Sequence, residues 1–249
     1  MNAPGPPVCH PGGMAEYPYT GDGDFVPYDA QPYTTAEMRS RGERFLDSMS
    51  RRRSIRTFSD EPVPRDLVEA AVITAGTAPS GAHQQPWTFV LVGDPTVKKQ
   101  IRLAAEEEER TNYLEGRMPD DWKGEIARLG TSWQKPYLES APWLVVLFEQ
   151  RYGLEPDGSR RKHYYAKESV GIAAGMFITA LHNMGLATLT HTPSPMAFLT
   201  KLLDRPGNER PFVLFPIGFP ADGSVVPRLE RKAVDEILIE FDGRTNAVD

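Results

Sequence analysis

Arg51-Arg52-Arg53-Ser54-Ile55-Arg56 places four arginines and a hydroxyl within six residues. A guanidinium fork matches two phosphate oxygens at once, and a serine hydroxyl adds a donor, so the segment reads as a phosphate clamp. On an extended backbone Arg52, Ser54 and Arg56 share one face, with Arg53, Ile55 and Thr57 on the other. Composition alone fits a solvated basic face equally well. A second segment runs Thr77-Ala78-Pro79-Ser80-Gly81-Ala82-His83-Gln84-Gln85-Pro86-Trp87. Its small residues let backbone approach a flat ligand, and Gly81 permits dihedrals closed to other residues. A Pro-Ser-Gly turn is equally a plain connector. The third segment, Thr190-His191-Thr192-Pro193, offers hydroxyl and backbone donors at a strand end, or simply ends the strand.

These segments need elements to hold them. Thr34-Thr35-Ala36-Glu37 forms a helix cap with an acid behind it, and Met38, Phe45, Leu46 and Met49 then mark a helical face. Arg65 to Ala75 reads as a helix with Leu67, Val68, Ala71 and Val72 inward and Gly76 as its stop. Trp87 to Val92 reads as a strand and Thr96 to about Asn112 as a helix containing four consecutive acids, Glu106 to Glu109. Tyr113 to Gly130 is irregular or partly helical, and Ser132 to Leu138 a short helix. Pro142 to Phe148 is a buried strand, and residues 152–161 a polar loop. Tyr164 to Met184 is a long helix with small residues in its middle, stopped by Gly185. Ala187 to Thr192 is a strand, Met196 to Leu203 a helix, and Phe212 to Ile217 a strand. The apolar tail from Val234 to Ile239 adds a strand or clasps another subunit. Helices and strands alternate, but the long helix and the two arms suit an α+β fold with a mixed sheet flanked by helices.

The formal charge of −6 argues against nucleic acid as a bulk partner, which wants a basic surface. The single cysteine, Cys9, excludes an intrachain disulfide and fits a reducing compartment. The five histidines show no paired metal-ligand spacing. No apolar run reaches the roughly 18 residues of a membrane helix, and the start lacks the pattern of a signal peptide, so a cytoplasmic protein is expected.

Arg-Arg-Ser-Ile-Arg near the start, followed by Ala-Pro-Ser-Gly-Ala-His-Gln-Gln-Pro-Trp before a strand, resembles the FMN-dependent nitroreductase superfamily. Thr74 to His83, the run Glu106 to Tyr113, Trp133-Gln134-Lys135 and Arg161-Lys162-His163-Tyr164-Tyr165 look more narrowly like iodotyrosine deiodinases. The resemblance spans about Phe25 to Ile239. It implies one nitroreductase-like domain over 25–241, a disordered segment 1–24, a flexible tail 242–249, and a homodimer that exchanges its arms and holds FMN at the interface.

The resemblance also implies roles. Arg52, Arg53, Ser54, Arg56 and Arg231 hold the flavin phosphate and ring edge. Ser80 and Gly81 contact FMN. Thr190, His191 and Thr192 lie along the ring, with Thr192 donating towards N5 as the catalytic contact. Glu109, Tyr113, Lys135 and the Ala82 backbone bind substrate. The chemistry is coherent, since Glu109 suits an ammonium, Lys135 a carboxylate, and Glu109 and Tyr113 are four apart on one helix face. In isolation, four adjacent acids are more simply a solvated face. The implied reaction is reductive dehalogenation of a halotyrosine, with electrons from NAD(P)H or a reductase. A general nitroreductase or quinone reductase, and a non-catalytic flavin or amino-acid sensor, are the alternatives. Two features depart from the family: His191 stands where relatives often carry a small hydroxyl residue, and the loop Leu114 to Asp121 contains Gly116 and Pro119. The chain also lacks the N-terminal membrane anchor of vertebrate members, which implies a soluble, bacterial-type enzyme.

Overall fold

The computed structural model describes residue 28 and residues 30–241. The segments 1–24 and 242–249, expected to be disordered and flexible, lie outside the described residues. Chain contacts divide the protein into two compact units, Met1–Arg51 and Arg52–Asp249.

In the first unit, α1 spans Thr35–Arg51. Thr34 and Glu37 close a reciprocal cap. The Thr34 N–H donates to Glu37 Oε2 at 2.8 Å, and the Glu37 N–H donates to Thr34 Oγ1 at 3.2 Å. Two of the orphan amides that open any helix are satisfied in this way.

The second unit carries α2 (Arg65–Gly76), β1 (Trp87–Val92), α3 (Pro95–Leu114), α4 (Asp120–Ala127), α5 (Tyr137–Ser140) and β2 (Trp143–Gln150). It continues with β3 (Tyr152–Leu154), β4 (Arg160–Lys162), α6 (Ala166–Asn183), β5 (Ala187–Thr188), α7 (Ala197–Leu202) and β6 (Glu209–Gly218). The main sheet has strand order β1-β2-β6-β5, and its named strands pair antiparallel. The parallel component is a bridge between Ser54 and Thr188. The segment read as a polar loop over 152–161 is the β3–β4 hairpin, paired through backbone with exposed basic side chains.

β2 explains the layering. Its residues alternate faces, as the period of a strand requires. Leu144, Val146 and Phe148 pack with Ile101, Ala105, Leu138 and Leu199 of α3, α5 and α7. Val145 and Leu147 pack with Val68, Ala71, Val170 and Phe177 of α2 and α6. Both sheet faces are therefore dry, and the α+β fold is a sheet between two helical layers. Phe177 meets Phe89 and Phe215 at ring-centroid distances of 5.4 and 5.1 Å, fixing α6 on its face. α3 begins where Asp94 Oδ1 accepts from the Thr96 and Val97 amides (2.8 and 2.9 Å), with Pro95 as the first helical residue. α6 ends before Gly185, whose φ of 81° a side chain disfavours.

Candidate active site

The arginine segment enters the second unit as an edge. Ser54 bridges Thr188, the Ile55 N–H donates to the Thr188 carbonyl (3.2 Å), and the Ser59 N–H donates to the Phe219 carbonyl (3.0 Å). So pinned, Arg52, Arg53, Ser54 and Arg56 line one cavity of about 270 Å³, together with Pro227, Glu230 and Arg231. The face pattern expected of a free strand would have turned Arg53 away. Its guanidinium instead donates to the Pro227 carbonyl. Arg231 Nη2 donates to the Arg52 carbonyl at 3.1 Å, so a residue 179 positions later closes the cavity. Among the lining residues four guanidinium groups face one carboxylate, Glu230. Burial, and then the charges of Arg231 and Arg53, hold the Arg52 guanidinium below its ordinary pKa. Crowded, partly desolvated cations of this kind call for a polyanion, and a phosphate supplies the missing charge and acceptors.

The Ser80 loop is latched to the start of α6. The Gly81 N–H donates to Ser169 Oγ (3.3 Å), Gln84 Nε2 to the Lys162 carbonyl (3.1 Å), and the Tyr164 N–H to Gln84 Oε1 (3.1 Å). Ser80 Oγ accepts from the Gln85 N–H at 2.9 Å. Any Cβ at position 81 would overlap the Tyr164 carbonyl, so glycine is required there. Ala82, His83 and Gln85 all have positive φ, at 49°, 54° and 48°. Non-glycine residues adopt that region at a cost and cluster at functional loops, where surrounding bonds over-determine them.

The four acids of α3 are split by helical geometry. Glu107 points outward to Arg110 (3.0 Å), whereas Glu106 and Glu109 point inward. Glu109 falls in the stripe of Ile101, Ala105 and Asn112, which is why the solvated-face reading fails for it. Glu109 Oε2 lies 3.5 Å from Lys135 Nζ, with residue exposures of 8% and 3%. Lys135 Nζ also donates to Thr131 Oγ1 (3.2 Å) and to the Ser132 carbonyl, and sits 5.3 Å from the Tyr113 ring centroid. Glu106 anchors the lysine backbone, accepting its N–H at 2.7 Å, and is itself paired with Arg102 at 2.9 Å. Burial raises the Glu109 pKa and lowers that of Lys135, against the attraction each exerts on the other. The two charges therefore compensate each other only in part. Arg56 is near enough for its charge to act on Tyr113 and Lys135, which joins this group to the arginine cavity.

Thr190 and Thr192 are exposed on one face beyond β5, and Thr192 borders a further cavity of about 740 Å³ with Pro193 to Ala197. His191, between these two threonines, is turned the other way. It exchanges two backbone hydrogen bonds with Leu214 (2.8 and 3.0 Å), and strand alternation then turns its imidazole inward, 5% exposed. Sequence reasoning missed Glu106, Tyr137 and Glu230. Glu106 lies beside the inward stripe of α3, a signal that was readable. Glu230 and Tyr137 gain their places through tertiary contacts alone.

A model of the nitroreductase family matches residues 49–219. The chain is 49% identical over 217 residues to the iodotyrosine deiodinase of Haliscomenobacter hydrossis, covering 87% of this chain and 97% of that one. It is 47% identical over 217 residues to the iodotyrosine deiodinase of Danio rerio, covering 86% and 72%. Among solved structures it is similar to an oxidised iodotyrosine deiodinase bound to FMN and 3-iodo-L-tyrosine. That match has a TM-score of 0.70 at 29% identity and covers 80% of this chain and 98% of that one.

Proposed function

The chain belongs to the nitroreductase family, and from that premise we propose that it is an FMN-dependent reductive dehalogenase of halogenated tyrosines, converting iodotyrosine to tyrosine and halide. The observation that carries this reading is the buried Glu109–Lys135 pair under the Tyr113 ring, beside the arginine cavity. An amino acid brings one ammonium and one carboxylate, and this recess offers one partner for each.

Arg52, Arg53, Ser54, Arg56 and Arg231 hold the FMN phosphate and ring edge. The cavity's excess of guanidinium groups supports that assignment. Ser80 and Gly81 form the backbone wall beside the ring, and the strained Ala82 turn presents its N–H to the substrate phenolate. The hydroxyls of Thr190 and Thr192 face the cofactor, Thr192 as donor to ring N5. Reduced FMN, when bound, would supply two electrons which, with one proton, replace the carbon–halogen bond by a carbon–hydrogen bond as halide leaves. Glu109 receives the substrate ammonium, Lys135 its carboxylate, and Tyr113 closes over both, excluding water. Completing the Glu109–Lys135 pair with two further charges recovers what burial costs it.

The assembly is a homodimer whose arms are exchanged. Supporting this, Val234, Ile237, Leu238, Ile239 and Phe241 near the chain end are exposed apolar residues, as is Ile172 on α6. Electrons arrive from NAD(P)H or a reductase in the cytoplasm. Among the described residues no helix is long and apolar enough to cross a membrane.

Anaerobic titration tests the reading. Purified protein is expected to be yellow, and after reduction to be reoxidised by 3-iodotyrosine much faster than by 2-iodophenol, which keeps the iodine ortho to the hydroxyl and lacks the zwitterion. Equal rates for the two compounds, or equal preference for nitroarenes, would return the protein to the general reductases. Colourless protein that refuses FMN would remove the flavin assignment altogether.

A further inference from the structure

Tyr137 and His191 do not line the arginine cavity, yet each is tied to one part of the site. Tyr137 follows Lys135 by two residues, and the Leu138 N–H donates to the Lys135 carbonyl at 3.0 Å, so one turn carries both lysine and phenol. His191 lies between Thr190 and Thr192, clamped at its backbone to Leu214. The Tyr137 hydroxyl and His191 Nδ1 are 3.2 Å apart, with the rings edge-on at 5.8 Å and 82°. Their surroundings are apolar, including Leu138, Leu189 and Leu214.

An apolar side chain at 191 would suit that environment better. Instead His191 Nε2 is buried without a hydrogen-bond partner among the described residues, a costly arrangement that asks for a reason. Burial pushes the Tyr137 phenol up and the His191 imidazole down to about 3, and nearby Lys135 and Arg56 further disfavour a charged imidazole. Both partners are thus neutral near neutral pH. The contact is a hydrogen bond between two segments that are otherwise far apart in sequence.

We propose that the Tyr137–His191 hydrogen bond is a positioning strut that sets the Lys135 turn against the Thr190–Thr192 strand, so that seating an amino acid's charged end registers at the cofactor-facing threonines. The inference rests on the function proposed above and deepens it: discrimination for halotyrosines over halophenols depends on a contact that neither substrate touches.

The test uses the flavin-loaded protein. Tyr137→Phe removes one oxygen and keeps the ring. His191→Leu removes both ring nitrogens, whereas His191→Asn keeps an amide near the Nδ1 position. For each variant, bound flavin, the ratio of kcat/KM for 3-iodotyrosine to that for 2-iodophenol, and the absorbance change of oxidised bound flavin on adding 3-iodotyrosine are measured. Tyr137→Phe is expected to keep its flavin and its iodophenol turnover. Its ratio should fall roughly tenfold, the size of one buried hydrogen bond, and its absorbance change should shrink. His191→Leu should lose the ratio likewise, and His191→Asn should retain most of it. A wild-type ratio and absorbance change in Tyr137→Phe overturn the proposal. So does loss of flavin, or an equal loss of iodophenol turnover, because either marks the contact as general packing. Should the unaltered enzyme show no preference between the two compounds, the proposed function fails first and the strut with it.

Discussion

In the cavity bounded by Arg52, Arg53, Arg56 and Arg231, four cations face one carboxylate, whereas in the recess under α3 one carboxylate faces one ammonium. Among its lining residues the first region carries an excess of positive charge, which suits a polyanion. The second holds one charge of each sign, which suits a ligand that also brings both. On the proposed function, selectivity would arise twice from one principle, that desolvated charge must be matched. One region would select by net charge and the other by the arrangement of a neutral total.

The sharpest way to break this contrast is to remove charge from each region and compare the free protein. The pair Arg52→Ala and Arg231→Ala should weaken FMN binding by about 3–6 kcal/mol, two charge-assisted hydrogen bonds' worth. The same pair should cost the FMN-free protein far less stability, since the lost Arg231 bond to the Arg52 carbonyl is offset by relieved repulsion between guanidinium groups. Fluorescence titration with FMN and urea unfolding read the two effects. An equal loss of stability would show that the arginines serve the fold. In the recess the expectation reverses. Lys135→Met strands Glu109 in a buried site and should destabilise the free protein by about 3–5 kcal/mol. Adding Glu109→Leu should recover most of that stability while halotyrosine binding stays lost, as calorimetry can check.

A third effect, smaller per pH unit, concerns acid. The unfolded-state His191 titrates near 6.5 and the folded-state imidazole at about 3. Above pH 6.5 neither state binds the proton, and the neutral burial is fully tolerated. Below it the unfolded chain gains a proton that the folded one refuses. Stability should therefore fall as pH drops from 6.5 towards 3, by up to about 1.4 kcal/mol per unit. His191→Asn should flatten that slope in acid unfolding curves. The smallest effect is the control. Arg65 and Glu69 form an exposed pair at 2.7 Å on α2, and Glu69→Ala should leave the unfolding midpoint where it is.

Legibility in the sequence followed burial. The strand Trp87 to Val92 and the helix from Arg65 were readable because apolar periodicity marks elements that bury a face. The β3–β4 hairpin was not, because Arg160, Arg161 and Lys162 are exposed and its pairing is a matter of backbone alone. The strand expected over Ala187 to Thr192 pairs as a strand only at Ala187–Thr188, and His191 rejoins β6 by an isolated bridge. Its orientation was nevertheless recoverable. Leu189 is a core residue, and two positions on, His191 must share its side. Glu109 was recoverable from the register of Ile101 and Ala105. The closing of the arginine cavity by Arg231 was not recoverable from spacing and came only through family resemblance, because no local pattern links residues 179 apart.

The alternation along β2 has a consequence for how this protein can change. Leu144, Val146 and Phe148 support the helical layer that bears Glu109 and leads into Tyr137, while Val145 and Leu147 support the layer whose α6 tethers the Ser80 loop. A side chain shaved at an even number loosens the layer of Glu109 first, and one shaved at an odd number loosens the layer that tethers the Ser80 loop. A single strand therefore offers two separate dials and, on the proposed function, substrate preference would drift along one while the grip on the prosthetic group stays put on the other.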